Sequence, residues 1–359
     1  MLTFAIPTWN RAAQLRVCID SICKQIKDRK GFYLVVCNNG STDGTAKLLE
    51  EYSRKYDFFS YKNLEVMREG ASWVESVGMV KTELTWTFGD DDILLPNALD
   101  KVLSIFKKHD DLYYLHATQT GRTNNSKKLY KAIDFLDLCE TYGWIDTCGF
   151  ISSNICRTSE LVQAYSNYYF YNDKIRSIFP AAACLLEVIY DKPAALYDDD
   201  LVGLQEEVQS EETLRRWKLI NSSTRYFFTV DALHELMKRI PALGKTFPPS
   251  FFRYHSYHLW DRHLVDLTKE FRHTRKKLPE KAWEKIACLA ELVSDGEVRK
   301  RILVALETKR QIIDTLIRAE GSLDQSVQIC EAEVYGHKNV NILPPPIRNV
   351  SESYVFENV

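Results

Sequence analysis

This chain has no C-x-x-C pair, no internal repeat, no apolar run of membrane-spanning length and almost no net charge. Each absence removes a class of protein. A formal charge of −2 over 359 residues creates no global field toward nucleic acid or an anionic membrane, so nucleic-acid binding is not expected. Nine cysteines, an odd number scattered mostly through apolar runs, fit neither a disulfide framework nor a zinc pattern. They read as buried free thiols in a reducing cytosol. The opening MLTFAIPTWN is apolar for only a few residues before Pro7 and Arg11, too short for a signal peptide core. Nothing approaches the ~20 apolar residues of a membrane helix. The expected location is therefore cytoplasmic, with any membrane contact peripheral and from the inner face.

What is present is ordinary for a globular protein of one large domain or two smaller ones, with 45% hydrophobic and 27% charged residues. From Leu2 to about Ala117, short β-prone runs (LTFAI, FYLVVC, LTWTF, LYYLHA) alternate with helically spaced stretches at Gln14 to Ile26, Thr45 to Tyr56, Ala71 to Val80 and Pro96 to Lys108. That alternation predicts βαβ units, hence an α/β fold with a mostly parallel sheet covered by helices on both faces. Open sheets of this kind place ligands at their strand ends, where loops such as NNGSTDGT fall. The middle of the chain, from about Thr118 to Asp200, is less regular and is expected to complete the sheet. Its aromatic run, Tyr165 to Tyr171, reads as a ligand-stacking platform or equally as core, and Phe179 to Tyr190 as an apolar helix.

Beyond about Glu206 the spacing turns helical, with Ala282 to Ser294 and Glu297 to Ala319 joined by a turn at Asp295-Gly296. RYHSYHLWDRH, from Arg253 to His263, is predicted as a partly buried amphipathic helix with His255 and His258 on one face, its basic and aromatic character suited to the bilayer surface rather than to a metal. The last segment carries three consecutive prolines and no periodicity. The expected division is 1–205 as the catalytic unit, 206–335 as a helical appendage through which the chain self-associates, and 336–359 as an extended tail.

The stretch WTFGDDDILLP sets Asp90, Asp91 and Asp92 side by side after one apolar run and before another. Adjacent carboxylates repel, and a divalent cation relieves that repulsion. Hard oxygen ligands suit Mg²⁺ or Mn²⁺ shared with waters and a diphosphate. If the segment is extended, neighbouring side chains alternate, so only one or two of the three face the same ion. The other reading is a solvated loop in which Asp92 or Asn97 caps the helix after Pro96.

Four pieces in order decide between them: AIPTWNR (Ala5 to Arg11), VVCNNGSTDGT (Val35 to Thr45), REGASWVESVG (Arg68 to Gly78) and TFGDDDILLPNAL (Thr87 to Leu99). Together they resemble the inverting family 2 glycosyltransferases of the GT-A fold, nearest the branch of abequosyltransferases and other surface-polysaccharide enzymes, in which GFISSNICR (Gly149 to Arg157) also has counterparts. The resemblance implies a Rossmann-like nucleotide-sugar domain followed here by a helical region. It implies transfer of a sugar from a nucleotide-sugar donor to a hydroxyl of a bacterial-type cell-surface glycan or lipid-linked acceptor. By the match, Pro7, Thr8, Asn10 and Arg11 line the base and ribose with Arg68 beside them, and Asn39 stands where many relatives hold the base with an aspartate. Asp43 reads as a cap on the following helix. Asp90 falls at the ribose, Asp91 and Asp92 at a Mg²⁺ or Mn²⁺ ion, and Gly89 replaces the first aspartate of the usual pattern. An inverting displacement also needs a general base. The family's Glu-Asp pair is missing from the second half, which leaves Asp173, with Asp146 and Glu187 behind it.

That missing pair keeps a second class open, a non-catalytic nucleotide-sugar-binding or scaffolding member of the same fold. A sugar-nucleotide pyrophosphorylase would want a glycine-rich first loop, and AIPTWNR has no glycine.

Overall fold

The computed structural model describes residues 1–121, 124–174, 179–205, 223–254, 257–261, 264, 280–318 and 356–358. Its first half is the expected alternation. Strands β1 (Leu2–Thr8), β2 (Phe32–Asn38), β3 (Phe59–Asn63) and β4 (Leu84–Thr87) run parallel in the order β4-β1-β2-β3. All seven residues of β1 are buried, as befits a strand covered on both faces. Helices α1 (Ala12–Ile26), α2 (Thr45–Lys55) and α3 (Ala71–Gly78) make the crossovers. In α1 the buried Leu15, Cys18, Ile19, Ile22, Cys23 and Ile26 form one apolar stripe at helical spacing.

After β4 the chain turns into β5 (Asp92–Leu94) and α4 (Ala98–Lys108), then β6 (Tyr114–Gln119), β7 (Lys128–Ala132), β8 (Asn154–Arg157) and β9 (Ala194–Leu204). β8 lies antiparallel between β4 and β6, β9 runs parallel to β6, and β7 and β5 pair antiparallel with β9. The sheet is thus mixed, a parallel half joined to a half in which antiparallel pairs flank the parallel pair β6 and β9. Phe356–Asn358 (β12 in chain order) adds to β7 at the edge; the remainder of the expected tail lies outside the described residues.

Neighbouring residues on a strand enter different cores. Leu115 and Ile155 pack with Phe4, Ile19 and Val102 beneath α1 and α4, whereas Tyr114 and Cys156 pack on the opposite face. That second face is covered by α5 (Phe135–Tyr142), α6 (Trp144–Cys148), α7 (Thr158–Ser166) and α8 (Pro180–Ile189). Helices α9 (Ser223–Arg239), α10 (Glu280–Glu291) and α11 (Gly296–Arg318) contribute Leu233, Leu236, Ile286, Leu289 and Ile302 to the same cluster. The helical region therefore shares a continuous core with the sheet's helices. The predicted turn before α11 is present, with Asp295 Oδ1 accepting the Glu297 and Val298 N–H groups at 2.9 and 3.0 Å.

The helix expected over Arg253 to His263 is corrected. Arg253–Tyr254 (β10) pairs antiparallel with Tyr257–His258 (β11), and His255 and His263 lie outside the described residues. The cause is aromatic anchoring rather than periodicity. A 3₁₀ turn at Pro249–Phe252 buries Phe251 against Trp144 at a 5.7 Å ring separation, and Phe252 meets Trp260 at 5.8 Å, which sets the direction of the chain between them. The tyrosines of the Tyr165 to Tyr171 run also go to the core: Tyr165, Tyr168 and Tyr171 are buried. Of the described cysteines all are free and all but the half-buried Cys288 are buried; Cys330 lies outside the described residues.

Candidate active site

Three loops meet at the C-terminal ends of β1, β2 and β4. Pro7 is tolerated in a central strand because β4's last pair with β1 is at Ala5, so no ladder bond to β4 is lost. After Thr8 the chain bends at Asn10 in a left-handed conformation (φ 51°). Asn10 ties the first loop to the second: its N–H donates to Ser41 Oγ and its Oδ1 accepts from the Thr42 N–H, both at 2.8 Å. Asp43 holds the starts of two helices, accepting from the N–H of Ala12 at 3.0 Å and from that of Thr45 at 2.9 Å. Burial pushes the Asp43 carboxyl up, but these bonds and the Thr45 hydroxyl outweigh it and leave the group below its ordinary range.

Asn39 is engaged at both ends of its amide. Its Nδ2 donates to the Arg68 carbonyl at 2.9 Å and its Oδ1 accepts from the Arg68 N–H at 3.1 Å, so the side chain holds the third loop as a strand would. Gly40, at φ +68°, has Met67 N only 2.8 Å from where a Cβ would sit, so that crossing demands glycine. The Arg68 guanidinium stacks over the Tyr169 ring at 4.3 Å, joining this third loop to the aromatic segment of the second half.

The acidic turn is neither a solvated loop nor an extended strand. Asp90 is 7% and Asp92 2% exposed. The strand ends at Thr87, and a turn through Asp90 and Asp91 precedes β5. Asp90 accepts from the Thr8 hydroxyl at 2.7 Å and from Arg11 at 3.1 Å, and the same Arg11 nitrogen donates to Asp91. Asp91 is partly exposed. Asp92 points elsewhere, accepting the Ser152 hydroxyl at 2.6 Å. The structure therefore joins Thr8, Arg11, Asp90 and Asp91 by direct hydrogen bonds, while Asp92, close to them, is bonded to Ser152 instead. Asn97 occupies the capping position of α4 without a side-chain bond to the helix.

Burial is the main cause that lifts Asp90 to about 6, opposed by Arg11 and Thr8 and reinforced by the neighbouring Asp91 charge. Burial likewise lifts Asp92 to about 7, against the Ser152 hydrogen bond. Two carboxylates share one guanidinium and a third lies close by on Ser152, so the turn lacks positive charge, and its hard oxygens fit a magnesium- or manganese-type ion. Among the described residues no three His, Cys, Asp or Glu side chains are placed to hold a metal ion between them. Such an ion would meet Asp91, the more exposed of the hydrogen-bonded pair, with its other positions left for water and phosphate.

The base candidates fare differently. Glu187 is committed: its Oε2 accepts from Tyr171 at 2.9 Å and Asn167 at 3.2 Å, and its Oε1 from Arg239 at 3.0 Å. Arg239 also stacks over Phe170 at 3.9 Å, linking α9 to the π-helical turn Phe170–Lys174. Asp173 falls in that turn; its side chain lies outside the described residues. Asp146 is half-buried on α6. Sequence reasoning missed Ser152 and Arg239, whose partners are far away along the chain and carry no local signal.

Residues 3–173 match the family described as glycosyl transferase family 2. Abequosyltransferase RfbV of Salmonella typhimurium is 28% identical over 123 residues, covering 34% of this chain and 37% of the relative. TagX of Staphylococcus aureus is 25% identical over 144 residues, covering 38% and 39%. The chain thus matches little more than a third of the length of these relatives. Among solved structures, S. aureus TarS 1-349 covers 93% of this chain and 91% of its own with a TM-score of 0.53 at 14% identity. Its complex with UDP-GlcNAc gives 0.55 at the same identity, covering 93% and 92%. Those likenesses establish the fold, GT-A with C-terminal helices. Residues 3–173 of this chain are a family 2 glycosyltransferase domain.

Proposed function

We propose that this protein is a metal-dependent inverting glycosyltransferase that moves a sugar from a nucleotide-sugar donor to a hydroxyl of a cell-surface glycan or lipid-linked acceptor. The observation that carries the reading is the convergence of Thr8 and Arg11 with Asp90 and Asp91 at adjacent strand ends, inside the segment that matches the family. The relatives support the glycan class, since one is named an abequosyltransferase and TarS is seen with UDP-GlcNAc.

In this reading Pro7, Thr8, Asn10, Asn39 and Arg68 shape the base and ribose pocket, with Asn39 acting through the loop it holds. Asp90, fixed by Thr8 and Arg11, meets the ribose. Asp91, the more exposed carboxylate, takes Mg²⁺ or Mn²⁺, which when bound supplies charge for the departing nucleoside diphosphate. Arg11 is the protein's own cation beside that diphosphate. Asp173 takes the proton of the acceptor hydroxyl as its oxygen bonds the anomeric carbon and the carbon–phosphate-oxygen bond breaks on the opposite side. The protein works in the cytoplasm, with any membrane contact peripheral and from the inner face. Among the described residues no helix is long and apolar enough to cross a membrane.

A calorimetric screen of nucleoside diphosphates and their sugars, with and without Mn²⁺, tests this. Donor binding that needs the metal, followed by transfer to a saccharide acceptor, is the expected outcome. Binding without transfer to any acceptor would favour the non-catalytic alternative, to which the commitment of Glu187 lends weight. No binding of any nucleotide would sink both.

A further inference from the structure

Ser152 is fully buried in the 3₁₀ turn Ile151–Ser153, which precedes β8. Its hydroxyl bonds at both ends of the acidic turn. It accepts from the Gly89 N–H at 2.7 Å and donates to Asp92 Oδ2 at 2.6 Å. The segment that carries it is anchored separately, because Trp86 Nε1 donates to the Ser152 carbonyl and the Thr87 hydroxyl to that of Ile151, both at 2.8 Å. A Cβ at Gly89 would lie 2.5 Å from Asp92 Oδ2 and 3.2 Å from Asp91 Oδ1, so the Asp92 carboxylate is folded back over the glycine. One hydroxyl thus spans a turn of four residues whose middle two carboxylates face Arg11.

We infer that Ser152 is a positioning residue of the transfer site: by pinning Gly89 and Asp92 it fixes the turn so that Asp91 is presented to the cation and diphosphate and Asp90 to the ribose, while Asp92 is held back. The inference rests on the proposed reading of that turn. Ser152 touches neither substrate nor ion. Without its hydroxyl, Asp92 keeps a buried charge with no donor from that residue, and the turn gains a second arrangement in which Asp92 swings toward the other two. Loss of a residue bonded directly to a metal ligand typically weakens metal affinity 10–100-fold; Ser152 acts one bond further out, through Gly89 and Asp92, so a loss near the lower end, about tenfold, is expected.

The test uses the full chain and Mn²⁺ alone as the probe, followed by the resonance of free Mn²⁺ in a titration. Ser152→Ala should raise the Mn²⁺ dissociation constant roughly tenfold while circular dichroism and Tm report a folded protein. Ser152→Cys, which keeps a weak donor, should fall between it and the unmodified protein. A folded Ser152→Ala with unchanged Mn²⁺ affinity overturns the inference. If Ser152→Ala does not fold, Ser152→Cys decides on the same criterion, and failure of both to fold assigns the residue to folding and overturns it equally. Asp91→Ala, titrated in parallel, separates the two levels. If that variant binds Mn²⁺ normally the underlying site reading falls, whereas if only the Ser152 variants do, the positioning role falls alone.

Discussion

One guanidinium nitrogen of Arg11 bridges Asp90, at 3.1 Å, and Asp91, so the loop after β1 and the turn after β4 are held by a single cation across 79 and 80 positions of sequence. Removing it leaves a nearly buried carboxylate without its ionic partner. Arg11→Ala should cost about 2–4 kcal/mol of stability, read as a fall in Tm, and should weaken nucleotide binding at least tenfold. Arg11→Lys should recover only part of either, because an ammonium is a compact, more strongly hydrated charge on a flexible stem and costs more to hold in this half-buried position. A Tm unchanged in Arg11→Ala would mean that the bridge is not a structural tie.

Asp91 contrasts with its neighbours in being partly exposed, so its loss should be chemical rather than structural. Asp91→Ala is expected to keep Tm within a few degrees, as substitutions at exposed positions usually do, while Mn²⁺-dependent transfer and donor hydrolysis drop by two or more orders of magnitude. EDTA should reproduce the loss in the unmodified protein, and added Mn²⁺ should reverse it.

The pH response of the metal-free protein has a definite sign. Asp90 and Asp92 are lifted from 3.8 to about 6 and about 7, so the folded state binds their protons more tightly than the unfolded chain does. Their contribution to stability is therefore greatest at low pH and is lost as pH rises from about 4 to about 7. In EDTA, Asp92→Asn should flatten that part of the profile and gain ~2 kcal/mol at pH 8. Urea melts at pH 5 and pH 8 measure it; a variant profile parallel to that of the unmodified protein would contradict the burial argument.

Gly70 sits at φ +77° with the Tyr168 ring where a side chain would go. Gly70→Ala combines a left-handed backbone with a clash against a buried ring and should cost about 2–4 kcal/mol. Because Arg68 and Tyr169 flank this contact, nucleotide binding should weaken along with Tm.

Sequence pattern made the first hundred residues legible because buried parallel strands and amphipathic helices write their burial into local order, as β1 and α1 do. β3 escaped notice because only Phe59 of its five residues is buried, so an edge strand looks like a loop. β9 escaped for a different reason: Asp198, Asp199 and Asp200 are unsuited to a strand by propensity, and tertiary partners hold them there. Asp198 takes the Asn124 N–H at 2.8 Å, and Asp199 takes Lys101. At the site, Asp90 and Asp91 were legible as a charged cluster, but the divergence of Asp92 was not, since it depends on a hydroxyl sixty positions on.

The shared core of the sheet's helices and the later helical region bears on how this protein is handled. Trp144 is sandwiched, its indole nitrogen on the Ala182 carbonyl at 3.2 Å and its ring on Phe251, which itself stacks on Phe247 at 4.2 Å. An expression fragment cut after residue 205 would bare that aromatic wall to water and should precipitate. A minimal soluble enzyme therefore has to retain the chain through α11, and attempts to isolate a free-standing catalytic half should yield aggregate rather than a slower transferase.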